Sequence, residues 1–150
     1  MNIYTKFFGE IAITNEQILT FPQGIPGFLE EVSFVLLDLE DNSIFQVLQS
    51  TTTSNIAFIV TNPYHFYQDY EIELDETILH FLEIETEQEV SVLSVVSLKD
   101  PFDKSTMNLQ APIIINNTKK RGKQYITNIK NYSTKHPLSI QQPTSMVKED

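Results

Sequence analysis

Six short runs of β-branched and aromatic residues constrain most of what this chain can become. They are SFVLLDL (33–39), IFQVLQS (44–50), IAFIVT (56–61), VSVLSVVSL (90–98), PIIIN (112–116) and QYITNI (124–129). Side chains of this kind pack well on a pleated surface, so each run is expected to be a strand. The breaks between them are EDNS (40–43), STTTSN (50–55), NP (62–63), KDPFDKST (99–106) and NNTKKRG (116–122). Each break holds Asn, Asp, Ser, Gly or Pro, the residues that turns require. FVLLDL and PIIIN are nearly unbroken apolar runs, the pattern of strands covered on both faces. One stretch differs. In LDETILHFLEIE (74–85), Leu74, Ile78, Phe81 and Leu82 repeat at helical spacing, Asp75 is placed to cap the start, and Glu76 lies near the positive helix end. A second helical turn is expected to start at Pro63. So little helix between the strands argues against βαβ units. The expectation is a mostly β chain, an antiparallel-rich, barrel-like fold with one or two short helices.

A chain of 150 residues suits one hydrophobic core. Residues 1–132 are expected to form a single domain. Residues 133–150, polar and with two prolines, are expected to be a loosely ordered tail. No apolar run has the length of a membrane-spanning helix. MNIYTKFFGEIAI at the start lacks the charged, apolar and small-residue regions of a signal peptide, so a cytoplasmic location is expected. With no cysteine, disulfides, thiolate nucleophiles and cysteine metal sites are excluded.

The net charge is −10, and it is unevenly spread. No Lys or Arg occurs between Lys6 and Lys99, an interval that holds sixteen of the twenty acids. Such a surface is a poor partner for nucleic acid, whose phosphates need Lys and Arg. It suits a basic protein, whose approach it would steer. The one basic cluster, TKKRGKQ (118–124), reads as a β-hairpin tip with Gly122 taking the turn, more than as a phosphate site. A nucleic-acid-binding barrel using KKRGK is therefore a minor reading.

Catalytic signals are weak. His65, His80 and His136 show no metal-ligand spacing, and no G-x-S-x-G elbow is present. Glu71, Glu73 and Asp75 alternate with Ile72 and Leu74, which on an extended chain puts all three acids on one face. That pattern fits a solvated edge better than a buried dyad. The rival reading is a small β-barrel enzyme with surface carboxylates and a divalent metal. FPQGIPGF (21–28) matches no phosphate loop, because nothing like Lys-Ser/Thr follows its glycines. It reads as a corner, with Pro26-Gly27 at the centre of a type II turn and Phe21, Ile25 and Phe28 anchoring it in the core. Two segments carry exposed-contact chemistry: the aromatic stretch around Tyr67 and Tyr70, and the loop Asp100, Pro101, Phe102, Asp103. These, with Glu71 and Glu73, are the candidate partner-binding residues.

FGEI (8–11), FPQGIPGF (21–28), LQS (48–50), AFIVTNP (57–63), the Tyr70 segment, NLQAPIIIN (108–116) and RGKQ (121–124) occur in this order. The ordered set resembles the flagellar assembly factor family, FliW, from near residue 8 to about residue 132. The resemblance implies a β-barrel-like fold with no catalytic activity and no cofactor; a monomer is expected, though not from the resemblance. It also implies two protein partners in the cytoplasm. One is flagellin, bound near its C-terminal end. The other is CsrA, a small RNA-binding regulator that represses flagellin translation. In the family, export of flagellin frees FliW to capture CsrA and relieve the repression. Neither direct nucleic-acid binding nor membrane association is implied.

Overall fold

A computed structural model describes residues 1–39, 44–127, 129 and 131–138. Its strands are β1 (Asn2–Thr5), β2 (Gly9–Ala12), β3 (Leu19–Thr20), β4 (Ser33–Asp38), β5 (Phe45–Ser50), β6 (Ala57–Thr61), β7 (Val90–Ser97), β8 (Thr106–Met107), β9 (Ile113–Asn116), β10 (Arg121–Gln124) and β11 (His136–Pro137). The α-helix α1 is Glu76–Phe81, and a 3₁₀ turn spans Pro63–His65. Five of the six expected strands are in place, and so are the helix and the turn at Pro63. Asp75 caps α1 as its sequence position suggested, its carboxylate accepting from the Ile78 amide at 2.9 Å.

The main sheet runs β11-β8-β7-β6-β5-β4-β3-β10-β9. It closes on itself because the first half of β7 (Val90 to Leu93) also pairs with β9. The second half of β7 pairs with β6 and then with β8. All these pairings are antiparallel except the single Thr20–Arg121 match of β3 with β10. The result is the mostly β, barrel-like architecture expected. The hairpin β1–β2 forms a separate sheet, with Ile3 opposite Ile11.

The period of two in each strand sorts its residues between different cores. Ile113 and Ile115 of β9 point into the ring, with Phe21, Phe34, Leu48, Val60 and Leu93. Ile114, between them, faces out and is covered by Ile78 and Leu82 of the α1 region. Phe34 and Val35 of β4 divide the same way, Phe34 into the ring and Val35 under the β1–β2 hairpin with Ile3 and Ile13. Both runs read as doubly covered are doubly covered. Another cluster, around Tyr70, Val96, Met107, Leu109 and Leu138, fills the end of the fold where β8 and β11 extend the sheet.

FPQGIPGF is a corner. The Phe28 amide donates to the Ile25 carbonyl at 2.6 Å across Pro26-Gly27, and Gly27 has φ +88°. Phe21 and Ile25 are buried, but Phe28 is 39 % exposed, resting its ring edge on Phe58 at 5.5 Å. The anchoring is therefore by two residues and a surface contact.

One strand and one turn differ from expectation. Of QYITNI (124–129), only Gln124 is in a strand among the described residues. The strand is Arg121–Gln124, paired with β9 from Arg121–Asn116 to Gln124–Ile113. Gly122 lies inside it and does not take the turn. The chain reverses over residues 117–120, where Lys120 has φ +58° and donates its amide to the Asn116 carbonyl at 2.8 Å. The Asn116 side-chain oxygen accepts from the amides of Thr118 and Lys119. Gly122 serves packing, because a Cβ there would stand 2.5 Å from Cζ of Phe21. Beyond residue 132, His136–Pro137 pairs with β8 and Leu138 is fully buried. Of the tail expected from 133 onward, residues 139–150 lie outside the described residues.

Candidate partner-binding surface

The loop after β7 and the aromatic segment after β6 stand over one core cluster. Phe45 of β5 links them. Its ring centroid lies 6.3 Å from Phe66 and, edge-on, 6.3 Å from Phe102. Phe102 opens a 3₁₀ turn, Phe102–Lys104, and is 49 % exposed. The loop is pinned beneath. The hydroxyl of buried Ser105 accepts from the Lys99 amide at 2.9 Å, and the Lys104 amide donates to the Pro101 carbonyl at 3.1 Å. Asp100, Pro101 and Asp103 are exposed around the Phe102 ring. The expected apolar tip rimmed by charge is therefore present.

The tyrosines divide between surface and support. Tyr67 is half-buried; its hydroxyl donates to the Pro137 carbonyl at 2.6 Å and its ring meets His136 at 5.0 Å. It ties the aromatic segment to β11. Tyr70 is 2 % exposed, its hydroxyl donates to the Leu109 carbonyl at 2.7 Å, and its ring packs on Tyr132 at 4.7 Å. That geometry places Tyr70 in the core rather than on a contact surface. Burial, then Tyr64 and Tyr132, push its phenol pKa above the ordinary value. Burial lowers that of His136.

Glu71 and Glu73 are exposed, as their alternation with Ile72 and Leu74 implied, although the segment joins no sheet. The Glu71 amide donates to the Tyr132 hydroxyl at 3.0 Å, and the Glu73 carbonyl accepts from that of Tyr125 at 3.1 Å. These bonds hold the backbone so that the carboxylates face water. Behind them, Tyr64, Ile72, Leu74, Leu79, Ile84, Val90 and Val92 line a groove of about 560 Å³, edged by Glu85, Thr86 and Glu87. The groove escaped sequence reasoning because its walls come from four separated stretches of chain. Phe45 and Tyr132, which hold the candidate surface from beneath, carried no signal beyond being aromatic.

Among the described residues no group of three or more His, Asp or Glu side chains could hold a metal ion. The basic cluster is partly neutralised and stacked. Arg121 Nε lies 3.9 Å from a Glu83 carboxylate oxygen, and Arg121 and Lys123 sit over the Phe81 ring at 5.2 and 5.5 Å. Among the described residues no helix is long and apolar enough to cross a membrane.

Fold and surface thus define a barrel-like protein with an exposed aromatic and acidic face, of the kind protein contacts use. The family model described as FliW protein matches residues 2–138. The flagellar assembly factor FliW of Bacillus subtilis (strain 168) is 46 % identical over 138 residues, covering 92 % of this chain and 96 % of that protein. The protein of the same name from Geobacillus kaustophilus (strain HTA426) is 49 % identical over 138 residues, covering 92 % and 95 %. A crystal structure of the flagellar assembly factor FliW superposes with a TM-score of 0.89 at 45 % identity, covering 95 % of this chain and 99 % of that one. The chain belongs to the FliW family.

Proposed function

We propose that this chain is a non-enzymatic flagellar assembly factor that acts in the cytoplasm by binding flagellin and, when free of it, CsrA. Capture of CsrA would relieve its repression of flagellin synthesis, so flagellin abundance would feed back on its own production. Family membership over residues 2–138 is the observation that carries this reading. The surface supports it. The aromatic tip at Phe102, the half-buried Tyr67 and the carboxylates of Glu71 and Glu73 offer contact chemistry.

The test is co-purification of the full chain with flagellin and with CsrA from the same bacterium, followed by competition. Each partner is expected to bind alone, and added flagellin is expected to release CsrA. Capture of neither would overturn the reading. Alanine substitutions at Tyr67, Glu71, Glu73, Asp100, Phe102 and Asp103 are expected to weaken capture of at least one partner. Folded variants that all bind both partners normally would move the site elsewhere.

A further inference from the structure

The groove behind Glu71 and Glu73 has an apolar floor and an acidic edge. Its floor is Ile72, Leu74, Leu79, Ile84, Val90 and Val92, which are all only partly buried, five of them packed on Ile78, Leu82 and Ile114. Its volume of about 560 Å³ falls within the range of about 300–1,000 Å³ usual for ligand sites. Tyr64 stands at one end, where a second depression continues along β7 past Val90 and Val92 to His65. Glu85 and Glu87 lie on the edge, and Glu71 and Glu73 flank Ile72 beside it. None of these four acids has a Lys or Arg within 4 Å among the described residues, and no Lys or Arg lines the groove. The depression on the other side of Leu79 and Ile84 differs, since Arg121 lines it and pairs with Glu83. There one carboxylate, Glu83, has a cation beside it; among the described residues the acids of the groove have none.

We infer that this groove receives a segment of a partner protein that presents apolar side chains flanked by Lys or Arg. The inference rests on the protein-binding role proposed above and adds the surface and the chemistry of the segment. Apolar side chains would cover the floor left open along β7, and the flanking cations would meet the four carboxylates. A neutral apolar segment would leave those carboxylates partly desolvated and unpaired, which disfavours it.

The test uses isotope-labelled full chain and two designed fifteen-residue peptides of equal positive charge. One places Leu at helical spacing among Lys; the other has Ser in place of each Leu. The Leu/Lys peptide is expected to bind saturably, with NMR shifts centred on Tyr64, Ile72, Ile84, Val90 and Val92. The Ser/Lys peptide is expected to bind at least tenfold more weakly. The double variant Glu85→Lys/Glu87→Lys is expected to lose at least fivefold in affinity for the Leu/Lys peptide. A matched reversal at the exposed Glu10 and Glu16 should lose less than twofold. Equal binding of the two peptides, shifts spread over the acidic surface, or equal loss in the two double variants would overturn the inference. So would shifts that track protein concentration without peptide, which would put a second copy in the groove. Co-purification with flagellin or CsrA is scored separately, so the groove can fail while the functional reading stands.

Discussion

Single residues carry constraints here that residue type alone does not reveal. Three glycines illustrate this. Gly27 has φ +88° but nothing near a hypothetical Cβ, so Gly27→Ala is expected to cost only the conformational penalty, about 1 kcal/mol. Gly24 has φ +68°, and its Cβ would lie 2.5 Å from the Leu29 carbonyl oxygen, which is backbone and cannot swing aside. Gly122 has ordinary strand geometry, but its Cβ would enter the ring of fully buried Phe21. Gly24→Ala and Gly122→Ala are each expected to cost about 2–3 kcal/mol, read as a lower urea midpoint at unchanged slope. A midpoint for Gly122→Ala as high as that of Gly27→Ala would refute this ranking. Sequence reading put Gly27 to the right use, because a Pro-Gly pair is local turn chemistry. It misplaced Gly122 because its cause is a ring a hundred residues away. Tyr70 gives a prediction in pH. Its folded pKa lies above the unfolded value of 10.0, because burial favours the neutral phenol. The stability this contributes is fully present below pH 10 and is lost as pH rises beyond it. Tyr64, Tyr67 and Tyr125 shift in the same direction. Urea melts from pH 8 to 11 are expected to show stability falling above pH 10, with a shallower fall in Tyr70→Phe. Parallel curves for the two proteins would be evidence against the assignment.

At the scale of elements, what was legible depended on how far each cause reaches along the chain. α1 was legible because its cap, its acidic first turn and its apolar spacing lie within a dozen residues. β4, β5, β6, β7 and β9 were legible because four or more residues display a period. β3, β8 and β11 have two residues each, too few for any period, and are strands only because neighbours pair with them. The β9–β10 turn was misread because its director is a side chain buried at the end of β9. Asn116 donates from Nδ2 to the carbonyls of Leu82 at 2.8 Å and Glu83 at 3.1 Å, while its Oδ1 accepts from the amides of Thr118 and Lys119. One amide thus fastens the end of α1 to the hairpin. Asn116→Ala is expected to cost about 3 kcal/mol, since it strips partners from several partly or fully buried backbone groups at once. It should also raise hydrogen exchange at Thr118 and Lys119 more than at Val47 and Leu48 of β5. Asp75→Ala, which removes only the α1 cap, is expected to cost about 1 kcal/mol. An Asn116→Ala variant no weaker than Asp75→Ala would show that the turn does not depend on this side chain.

Over the whole molecule, ring closure and the charge field answer to different parts of the sequence. Closure follows from β7, whose eight residues serve β9, β6 and β8 in turn, and nothing local in VSVLSVVS announces three partners. The charge field, in contrast, was legible at once, because it depends on composition more than on pairing. The interval without Lys or Arg contributes β2–β7 and their connections, and the connections carry most of its carboxylates with no Lys or Arg of the interval to answer them. The Debye length is about 10 Å at 0.1 M salt, so neighbouring exposed carboxylates sum their fields before screening removes them. If CsrA is a partner, its RNA-binding surface is basic, and the summed field would draw it in and repel RNA phosphate from the docked pair. Stopped-flow association of the full chain with CsrA is therefore expected to slow by about tenfold between 0.05 and 0.5 M salt. Reversing Glu71, Glu73 and Glu83 to Lys is expected to flatten that dependence while leaving the fold intact by circular dichroism. Glu83 also pairs loosely with Arg121 at 3.9 Å, but an exposed pair of this kind contributes little to stability. The dissociation rate should change less than the association rate, because steering acts before contact. If the triple variant and the parent chain show the same salt slope, the field is a by-product of solubility, and short-range contacts at the aromatic tip must account for recognition.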